Sequence, residues 1–243
     1  MGRIVLAGGA EFSGRMRDLD RRAMGHAGGV GAAIRIVPAA AAPDNNQDRA
    51  GGRGVDWFRS LGATDVACSA IVDRASANDP READNLTCAD LIYLLGGFPA
   101  HLAESLQHSR SWLAAIRAYG TGAVIAGSSA GAMVLGERFY DPAGSTIRPG
   151  LRVIGSTLVI PHHERMGPTW ASRLETLAPG SLLLGLDEST GIIDDAGNEG
   201  WTVYGGGEAV VYVDGQQFRF RAGQVIPFTR LPPPHVDREH HPW

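Results

Sequence analysis

The sequence is poor in cysteine and has no long apolar run. Its 243 residues include only Cys68 and Cys88, which form no Cys-x-x-Cys pair, so we expect two small buried apolar residues rather than a disulfide or a metal site. No segment approaches the roughly 20 apolar residues of a membrane-spanning helix, and the first apolar run is too short for a signal peptide. These absences predict a cytoplasmic protein without a membrane partner.

The sequence also lacks an excess of positive charge. It has 22 basic and 26 acidic residues, a net charge of −4, so nucleic acid is not an expected partner, because phosphate binding needs a basic face. Apolar residues make up 44% and charged residues 20%, which is typical of a globular protein. We expect one domain over residues 1–230, followed by a flexible tail rich in Pro and His over residues 231–243.

Strands and helices alternate along the first 136 residues. Short apolar segments, each typical of a buried strand, occupy residues 4–7, 33–37, 91–95 and 123–126. This alternation predicts an α/β fold with three αβα layers and a mostly parallel central sheet. Later segments are short and separated by Gly and Asp, which predicts antiparallel C-terminal strands. Catalytic groups in such folds lie at the carboxyl ends of the parallel strands.

The stretch 127–131, Gly-Ser-Ser-Ala-Gly, fits the G-x-S-x-G pattern where a strand passes into a helix. In a nucleophile elbow the central serine, here Ser129, sits on a sharp turn that exposes its hydroxyl above the sheet. The following helix directs its free N–H groups toward the same place. An ordinary Gly-rich turn, such as a phosphate-binding one, remains the alternative.

A serine nucleophile needs a base and a group that orients the base. His162 and His163 follow an apolar segment, and because neighbouring strand residues face opposite ways, only one of them can face the serine. The same holds for Asp187 and Glu188, the candidate orienting acids. The other histidines lie on predicted helices or in the tail and are weaker candidates: His26, His101, His108, His235, His240 and His241.

Several motifs together resemble a known family. They are Gly-Gly-Ala-Glu at 8–11, Ala-Ser-Ala-Asn-Asp-Pro at 75–80, Leu-Leu-Gly-Gly at 94–97, the elbow at 123–132, Val-Ile-Pro-His-His at 159–163 and Gly-Leu-Asp-Glu-Ser-Thr at 185–190. In this order and spacing they resemble the cyanophycinase and dipeptidase E family of serine peptidases, which has the class I glutamine amidotransferase-like fold. The motifs at 8–11 and 75–80 favour the cyanophycinase branch.

The resemblance implies a role for each matching residue. Ser129 would be the nucleophile, His163 the base and Glu188 the orienting acid. The backbone N–H groups of Gly97 and Ala130 would form the oxyanion hole. Enzymes of this fold often form homodimers, so a homodimer is an expectation, although no pattern in the sequence marks an interface.

The sequence departs from the family beside the site. Phe98 and Pro99 stand where the family commonly has polar residues, and His162 stands where it often has Gln. We therefore expect Phe98, Pro99 and His162 to shape the substrate site and to alter its specificity, so that cyanophycin, with its β-linked Asp-Arg units, is a doubtful substrate.

Further candidates for substrate contact are Arg165 and Arg173, which could meet a carboxylate, and Glu11 and Glu164, which could meet a guanidinium.

The resulting prediction is a serine hydrolase that cleaves a peptide or isopeptide bond through an acyl-enzyme, without metal or cofactor. Two alternatives are a non-catalytic member of the fold that binds a small ligand, and a biosynthetic hydrolase or transferase acting on a non-peptide ester or amide.

Overall fold

The computed structural model describes residues 1–197, 199–213 and 215–235. Within them, eight strands form a central sheet in the order β14-β11-β10-β1-β5-β4-β2-β3. The five neighbouring strands β1, β5, β4, β2 and β3 run parallel to one another. On the other side of β1, strands β10, β11 and β14 continue the sheet with antiparallel pairing. The predicted α/β fold with a mostly parallel sheet and antiparallel C-terminal strands is therefore confirmed.

The strands are β1 (Arg3–Ala7), β2 (Ala33–Val37), β3 (Asp65–Cys68), β4 (Leu91–Leu94), β5 (Val124–Ser128), β6 (Arg138–Asp141), β7 (Thr146–Pro149), β8 (Thr157–Ile160), β9 (Leu182–Leu186), β10 (Thr190–Ile193), β11 (Gly200–Gly205), β12 (Glu208–Val213), β13 (Gln216–Arg221) and β14 (Val225–Pro227). The helices are α1 (Arg17–His26), α2 (Gln47–Ser60), α3 (Pro80–Thr87), α4 (Pro99–Leu106), α5 (Arg110–Thr121), α6 (Ala130–Val134) and α7 (His163–Leu177).

Strand β1 lies in the middle of the central sheet, between β5 and β10. Its residues Ile4–Ala7 are buried, as expected for a strand covered on both faces. The register pairs Ala7 with Ser128 and Leu94 with Gly127. Strands β1, β4 and β5 therefore end side by side, and the loops that follow them meet at one edge of the sheet.

Helices cover both faces of this sheet. Leu19 on α1 and Phe58 on α2 belong to the apolar cluster on one face. Trp112 on α5, Leu102 on α4 and Met133 on α6 belong to the cluster on the other face. The three predicted αβα layers follow from these two clusters, because each face of the sheet has an apolar core of its own.

The C-terminal half contains a second sheet that the sequence did not distinguish from the first. Its order is β13-β12-β9-β8, with β8 and β9 parallel and the other pairs antiparallel. The predicted short strands are thus divided between two sheets. Strands β8 and β9 of the second sheet lead into the segments at 162–163 and 187–188, so this sheet carries two of the predicted site segments.

Two expectations about the rest of the chain are corrected. The predicted tail does not begin at residue 231, because Leu231 is buried, its carbonyl accepts a hydrogen bond from Trp201 Nε1, and His235 N donates to Val153 O. The remainder of that prediction, residues 236–243, lies outside the described residues. Cys68 and Cys88 are free thiols, but both are exposed rather than buried.

In the part of the chain that the structure describes, none of the helices combines the length and the apolarity needed to cross a membrane.

Candidate active site

Ser129 lies on the turn between β5 and α6, with φ of 50° and ψ of −112°. This conformation is strained for a residue with a side chain, at a cost on the order of 1–3 kcal/mol. The flanking glycines make the turn possible. A Cβ on Gly127 would lie 2.5 Å from the Gly131 carbonyl carbon, and a Cβ on Gly131 would lie 2.9 Å from the Leu94 carbonyl carbon. The predicted elbow geometry therefore has its physical cause in two close backbone approaches.

His162 is the histidine that meets the serine. Its Nε2 lies 2.9 Å from Ser129 Oγ, and its Nδ1 lies 2.8 Å from Glu188 Oε1. A proton on Nδ1 donates to the carboxylate and leaves Nε2 free to accept the serine hydroxyl proton. Ser129, His162 and Glu188 thus form the hydrogen-bond chain of a Ser-His-acid triad.

The predicted pairing of Ser129 with His163 is wrong in this structure. Strand β8 ends at Ile160, so strand alternation no longer applies at residues 162 and 163. His162 adopts the left-handed conformation, with φ of 49°, at the start of α7, and His163 is the first helical residue. This backbone reversal turns His162 toward Ser129. His163 is buried instead, with Nδ1 3.2 Å from Asp187 Oδ1 and Nε2 2.7 Å from Tyr212 Oη.

Glu188 lies on the turn between β9 and β10 and is held by the first turn of α7. Its backbone N–H donates to Glu164 Oε2 at 2.9 Å. Its carboxylate, besides accepting from His162, forms an ion pair with Arg165. Glu188 was predicted to orient His163, but its carboxylate contacts His162, and Asp187 is the acid that contacts His163.

Arg165 and Arg173, both predicted to contact substrate, are placed differently. The Arg165 guanidinium lies against the Glu188 carboxylate and 3.3 Å from His162 Nδ1, so it borders the triad. Arg173 stacks over the Tyr140 ring at 5.6 Å. It lies ten residues beyond the start of α7, about 15 Å along the helix axis, and the structure does not bring it to Ser129.

The loop after β4 approaches Ser129 from the side. A Cβ on Gly96 would lie 3.2 Å from Ser129 Cβ. Gly97 has φ of 139°, and a Cβ there would lie 2.6 Å from the Ala40 carbonyl carbon, so this position requires glycine. Ala130 is the first residue of α6, where N–H groups have no partner within the helix. Gly96 therefore packs against Ser129, and the two residues predicted for an oxyanion hole are adjacent in the chain to Gly96 and to Ser129 respectively.

Phe98 and Pro99 follow directly after this loop. The Phe98 side chain is 40% exposed, although it is large and apolar, while Pro99 is buried and begins α4. Phe98 N donates to Ala40 O at 2.8 Å. The loop thus presents an aromatic ring to solvent one residue away from Gly97, and Pro99 brings no backbone donor.

The loop after β1 holds two members of the triad through their backbones. Ala7 O accepts from Ser129 N at 2.9 Å, and Gly8 O accepts from His162 N at 2.9 Å. The sequence marked Gly8 only as part of a motif at a strand end and assigned it no role. Two consecutive carbonyl groups, one at the end of β1 and one at the start of this loop, thus hold the elbow and the start of α7.

The same loop also reaches the acid and the residue behind the nucleophile. Gly9 O accepts from Ser189 N at 3.1 Å, next to Glu188. Glu11 Oε2 accepts from Ser128 Oγ at 2.9 Å. The loop therefore connects all three segments of the triad, and a glycine doublet at the end of the central strand was the sequence signal that could have pointed to it.

Backbone strain is concentrated around this edge. Nine non-glycine residues with positive φ occur in the described part of the chain, and five of them lie in the loops just described. They are Ala10, Phe12, Ser129, His162 and Ser189. Such strain persists where the surrounding structure holds it in place, and it is typical of functional sites.

A buried acid lies beneath the loop after β1. Burial raises the pKa of Asp20 from 3.8 to about 7, the hydrogen bond from Trp57 opposes the rise, and the charge of Glu11 adds to it. Trp57 Nε1 donates to Asp20 Oδ2 at 2.7 Å. Desolvation is the dominant cause, as expected for a carboxyl that is 1% exposed.

No metal-binding arrangement is found in residues 1–197, 199–213 and 215–235: they contain no group of three or more His, Cys, Asp or Glu side chains placed to hold an ion. A cavity of about 490 Å³ lies elsewhere, between the end of α7 and the strands β9 and β12, lined by residues that include Glu175, Leu183 and Tyr212.

Comparison with known proteins finds one matching family model and several similar curated proteins. The model of peptidase family S51 matches residues 4–193. The cyanophycinase of Synechococcus elongatus is 28% identical over 200 residues, which are 78% of this chain and 61% of that protein. The chain thus spans about three fifths of the length of this relative. The cyanophycinase of Trichormus variabilis is 28% identical over 224 residues, 87% of this chain and 73% of the relative.

Solved structures show the same fold. A peptidase from an acI-B1 Actinobacterium superimposes with a TM-score of 0.84 at 26% identity, over 94% of this chain and 97% of that one. A protein of Listeria monocytogenes EGD-e assigned as peptidase E superimposes with a TM-score of 0.60 at 14% identity, over 91% and 98% of the two chains. The second likeness concerns the fold alone.

Proposed function

The chain belongs to peptidase family S51, and from this membership and the geometry around Ser129 we propose that it cleaves a peptide or isopeptide bond through a triad of Ser129, His162 and Glu188. The observation that carries the proposal is the unbroken chain of hydrogen bonds from Ser129 Oγ to His162 and from His162 to Glu188, 2.9 and 2.8 Å long.

Acylation begins when Ser129 Oγ attacks the carbonyl carbon of the scissile bond. The hydroxyl proton passes to His162 Nε2, and the Glu188 carboxylate stabilises the resulting imidazolium through Nδ1–H. The negative oxygen of the tetrahedral intermediate accepts hydrogen bonds from the N–H groups of Gly97 and Ala130. His162 then gives the proton to the leaving amine, the C–N bond breaks, and the acyl group stays on Ser129.

Deacylation repeats these steps with water. His162 Nε2 takes a proton from a water molecule while the water oxygen attacks the ester carbon. Collapse of the second tetrahedral intermediate breaks the bond to Ser129 Oγ, which recovers its proton from His162. The product leaves as a carboxylic acid. The proton transfers of both steps are supported by the 2.9 Å separation of His162 Nε2 from Ser129 Oγ.

The test is acylation by a fluorophosphonate probe, in which Ser129 Oγ displaces fluoride from phosphorus, followed by mass spectrometry of the intact chain. We expect one adduct, located on Ser129. Ser129→Ala should abolish labelling, and it should lower turnover on the order of 10⁶-fold if the triad acts as a unit.

Ser128→Ala is the matched control, because Ser128 is the adjacent serine and its hydroxyl contacts Glu11 rather than His162. It should retain labelling. If the wild-type chain is not labelled by any serine-directed probe, the proposal is wrong, and a ligand-binding role without catalysis becomes the better explanation.

The exposed Phe98 ring supports a second part of the proposal, which concerns specificity. Cyanophycin offers charged groups, and each charged group needs an oppositely charged or hydrogen-bonding partner when it loses water. Phe98 supplies exposed apolar surface next to Gly97, and neither Phe98 nor the buried Pro99 has a side-chain donor. We therefore infer that the enzyme is cyanophycinase-like with altered specificity and prefers an apolar or aromatic group near the cleaved bond.

A panel of dipeptides tests this preference. It should contain β-Asp-Arg, other Asp-X dipeptides and their counterparts with an aromatic residue, compared by kcat/KM, with cyanophycin granules as a separate substrate. We expect the aromatic substrates to be preferred, and Phe98→Asn to reduce that preference. Efficient degradation of cyanophycin by the wild-type chain would refute the inference about specificity and leave the triad proposal intact.

A further inference from the structure

A second chain of hydrogen bonds runs beside the triad, displaced by one residue on each segment. His163 Nδ1 lies 3.2 Å from Asp187 Oδ1, and His163 Nε2 lies 2.7 Å from Tyr212 Oη. The dipeptides 162–163 and 187–188 are therefore connected twice, once by His162 and Glu188 and once by His163 and Asp187. The proposed mechanism uses only the first connection.

The two connections differ in their exposure to water. The side chains of His162 and Glu188 are 26% and 34% exposed, whereas those of His163 and Asp187 are 6% and 16% exposed. Water competes with the hydrogen bond of the exposed pair, so that bond alone contributes little to holding the two segments at a fixed distance. The buried pair has less competition from water and stronger electrostatics, so it can hold them together.

The His163 ring is confined on two sides by glycines. A Cβ on Gly185 would lie 2.6 Å from His163 Cγ, and a Cβ on Gly167 would lie 3.0 Å from the same atom. Side chains at these positions would displace the ring. The backbones of β9 and α7 therefore pack directly on the His163 ring.

Strand β12 supports the far end of this second chain. Asp187 Oδ2 accepts from Glu208 N at 2.8 Å, and Asp187 N donates to Glu208 O at 3.1 Å. Tyr212 lies on the same strand, in register with Leu183 of β9. One strand of the second sheet thus holds both partners of the His163 ring.

We propose that His163, together with Asp187 and Tyr212, is a positioning residue: the buried chain sets the separation between the start of α7 and the β9–β10 turn, so that His162 reaches Ser129 and Glu188 at the same time. This rests on the proposed triad. A neutral His163 that carries its proton on Nδ1 donates to Asp187 and accepts from the hydroxyl of Tyr212. The triad requires the same tautomer of His162.

Variants at position 163 test the two bonds separately. The Leu side chain of His163→Leu fills similar space without hydrogen bonds. The amide of His163→Asn reaches the place of Nδ1 and can still donate to Asp187, although it cannot reach Tyr212. The measurement is the rate constant of fluorophosphonate labelling at Ser129, at a temperature well below the melting temperature of every variant.

We expect His163→Leu to be labelled about 10- to 100-fold more slowly, because a displacement of about 1 Å of a catalytic group costs about 10²-fold. His163→Asn should recover most of that rate. His26→Leu is the control: it removes a partly buried histidine whose ring bonds Asp195, at the opposite end of the sheet, and it should be labelled at the wild-type rate.

A His163→Leu chain that is folded and labelled at the wild-type rate would overturn the proposal and reduce the network to a contribution to stability. If His163→Leu does not fold, Tyr212→Phe decides, since it removes a single oxygen atom. We expect labelling of Tyr212→Phe to slow at least threefold, and an unchanged rate would overturn the proposal. Failure of the triad itself would instead appear as a wild-type chain that is not labelled at Ser129.

Discussion

Gly9 offers a way to disturb the triad without changing any of its side chains. It has φ of 133°, and a Cβ at this position would lie 2.8 Å from Nδ1 of the His162 ring and closer still to Cε1. Because carbon atoms in contact lie about 3.5–4.0 Å apart, Gly9→Ala should push the ring back by about 1 Å.

The expected loss follows from the distance to the nucleophile. His162 Nε2 is 2.9 Å from Ser129 Oγ, and a retreat of about 1 Å takes the pair beyond hydrogen-bond range. A misplacement of that size costs about 10²-fold in rate. Alanine at position 9 must also keep the positive φ of the glycine, which costs about 1–2 kcal/mol for a residue with a side chain. This strain should lower the melting temperature by about 2–8 °C in a chain of this length.

Gly122→Ala separates the two effects. Gly122 has φ of 125°, and a Cβ there would have no neighbour within 4 Å, so this variant carries similar backbone strain without the contact to His162. Both variants should melt at a lower temperature, and only Gly9→Ala should lose labelling by the fluorophosphonate probe. If Gly9→Ala is labelled within threefold of the wild-type rate, the loop after β1 does not set the position of His162, and the reasoning is refuted.

Three further predictions concern the triad and the acid beneath it. His162→Ala should lower kcat on the order of 10⁶-fold, as removal of the base does when a triad acts as a unit; a turnover close to the wild-type value would restore His163 as the candidate base. Arg165→Ala should slow labelling less than about fivefold, because the Arg165 side chain is 63% exposed and exposed ion pairs are worth about 0–1 kcal/mol; a loss of 10²-fold would make Arg165 essential to the orientation of Glu188. Asp20→Asn should stabilise the fold more at pH 8 than at pH 5. The folded-state pKa of Asp20 is raised by burial from 3.8 to about 7, so the wild-type chain loses stability as pH rises through that window, by about 3 kcal/mol between pH 5 and pH 8. Urea unfolding at both pH values measures the difference, and an equal effect of the substitution at both would contradict the shifted pKa.

Local patterns in the sequence were sufficient to predict the elements that depend on one segment at a time. The apolar run before residue 127, the glycines on either side of Ser129 and the helix that follows describe one structural unit, because the close approach of Gly127 to Gly131 follows from the turn itself. The approach of Gly131 to Leu94 depends in addition on the neighbouring strand β4. The alternation of strands and helices likewise predicted the parallel half of the sheet, since each βαβ unit has only one favourable packing.

The division of the C-terminal strands into two sheets could not be predicted in this way. Strands β10 and β12 are both short and apolar, and both follow Gly or Asp turns. Their assignment to different sheets depends on which distant strand each one meets, β1 for the first and β9 for the second. A pattern of alternating residues contains no information about that choice, because it describes one strand and not its neighbours.

The sequence by itself determined the family and the α/β class, and it predicted Ser129 as the candidate nucleophile and the pair of histidines from which a base would come. Only the tertiary structure decided between His162 and His163. Residue periodicity applies within a regular element, and these two residues lie where a strand has ended and a helix begins. The left-handed turn at His162 reverses the direction of its side chain, and that turn is held by Gly8, a residue more than 150 positions away in the chain.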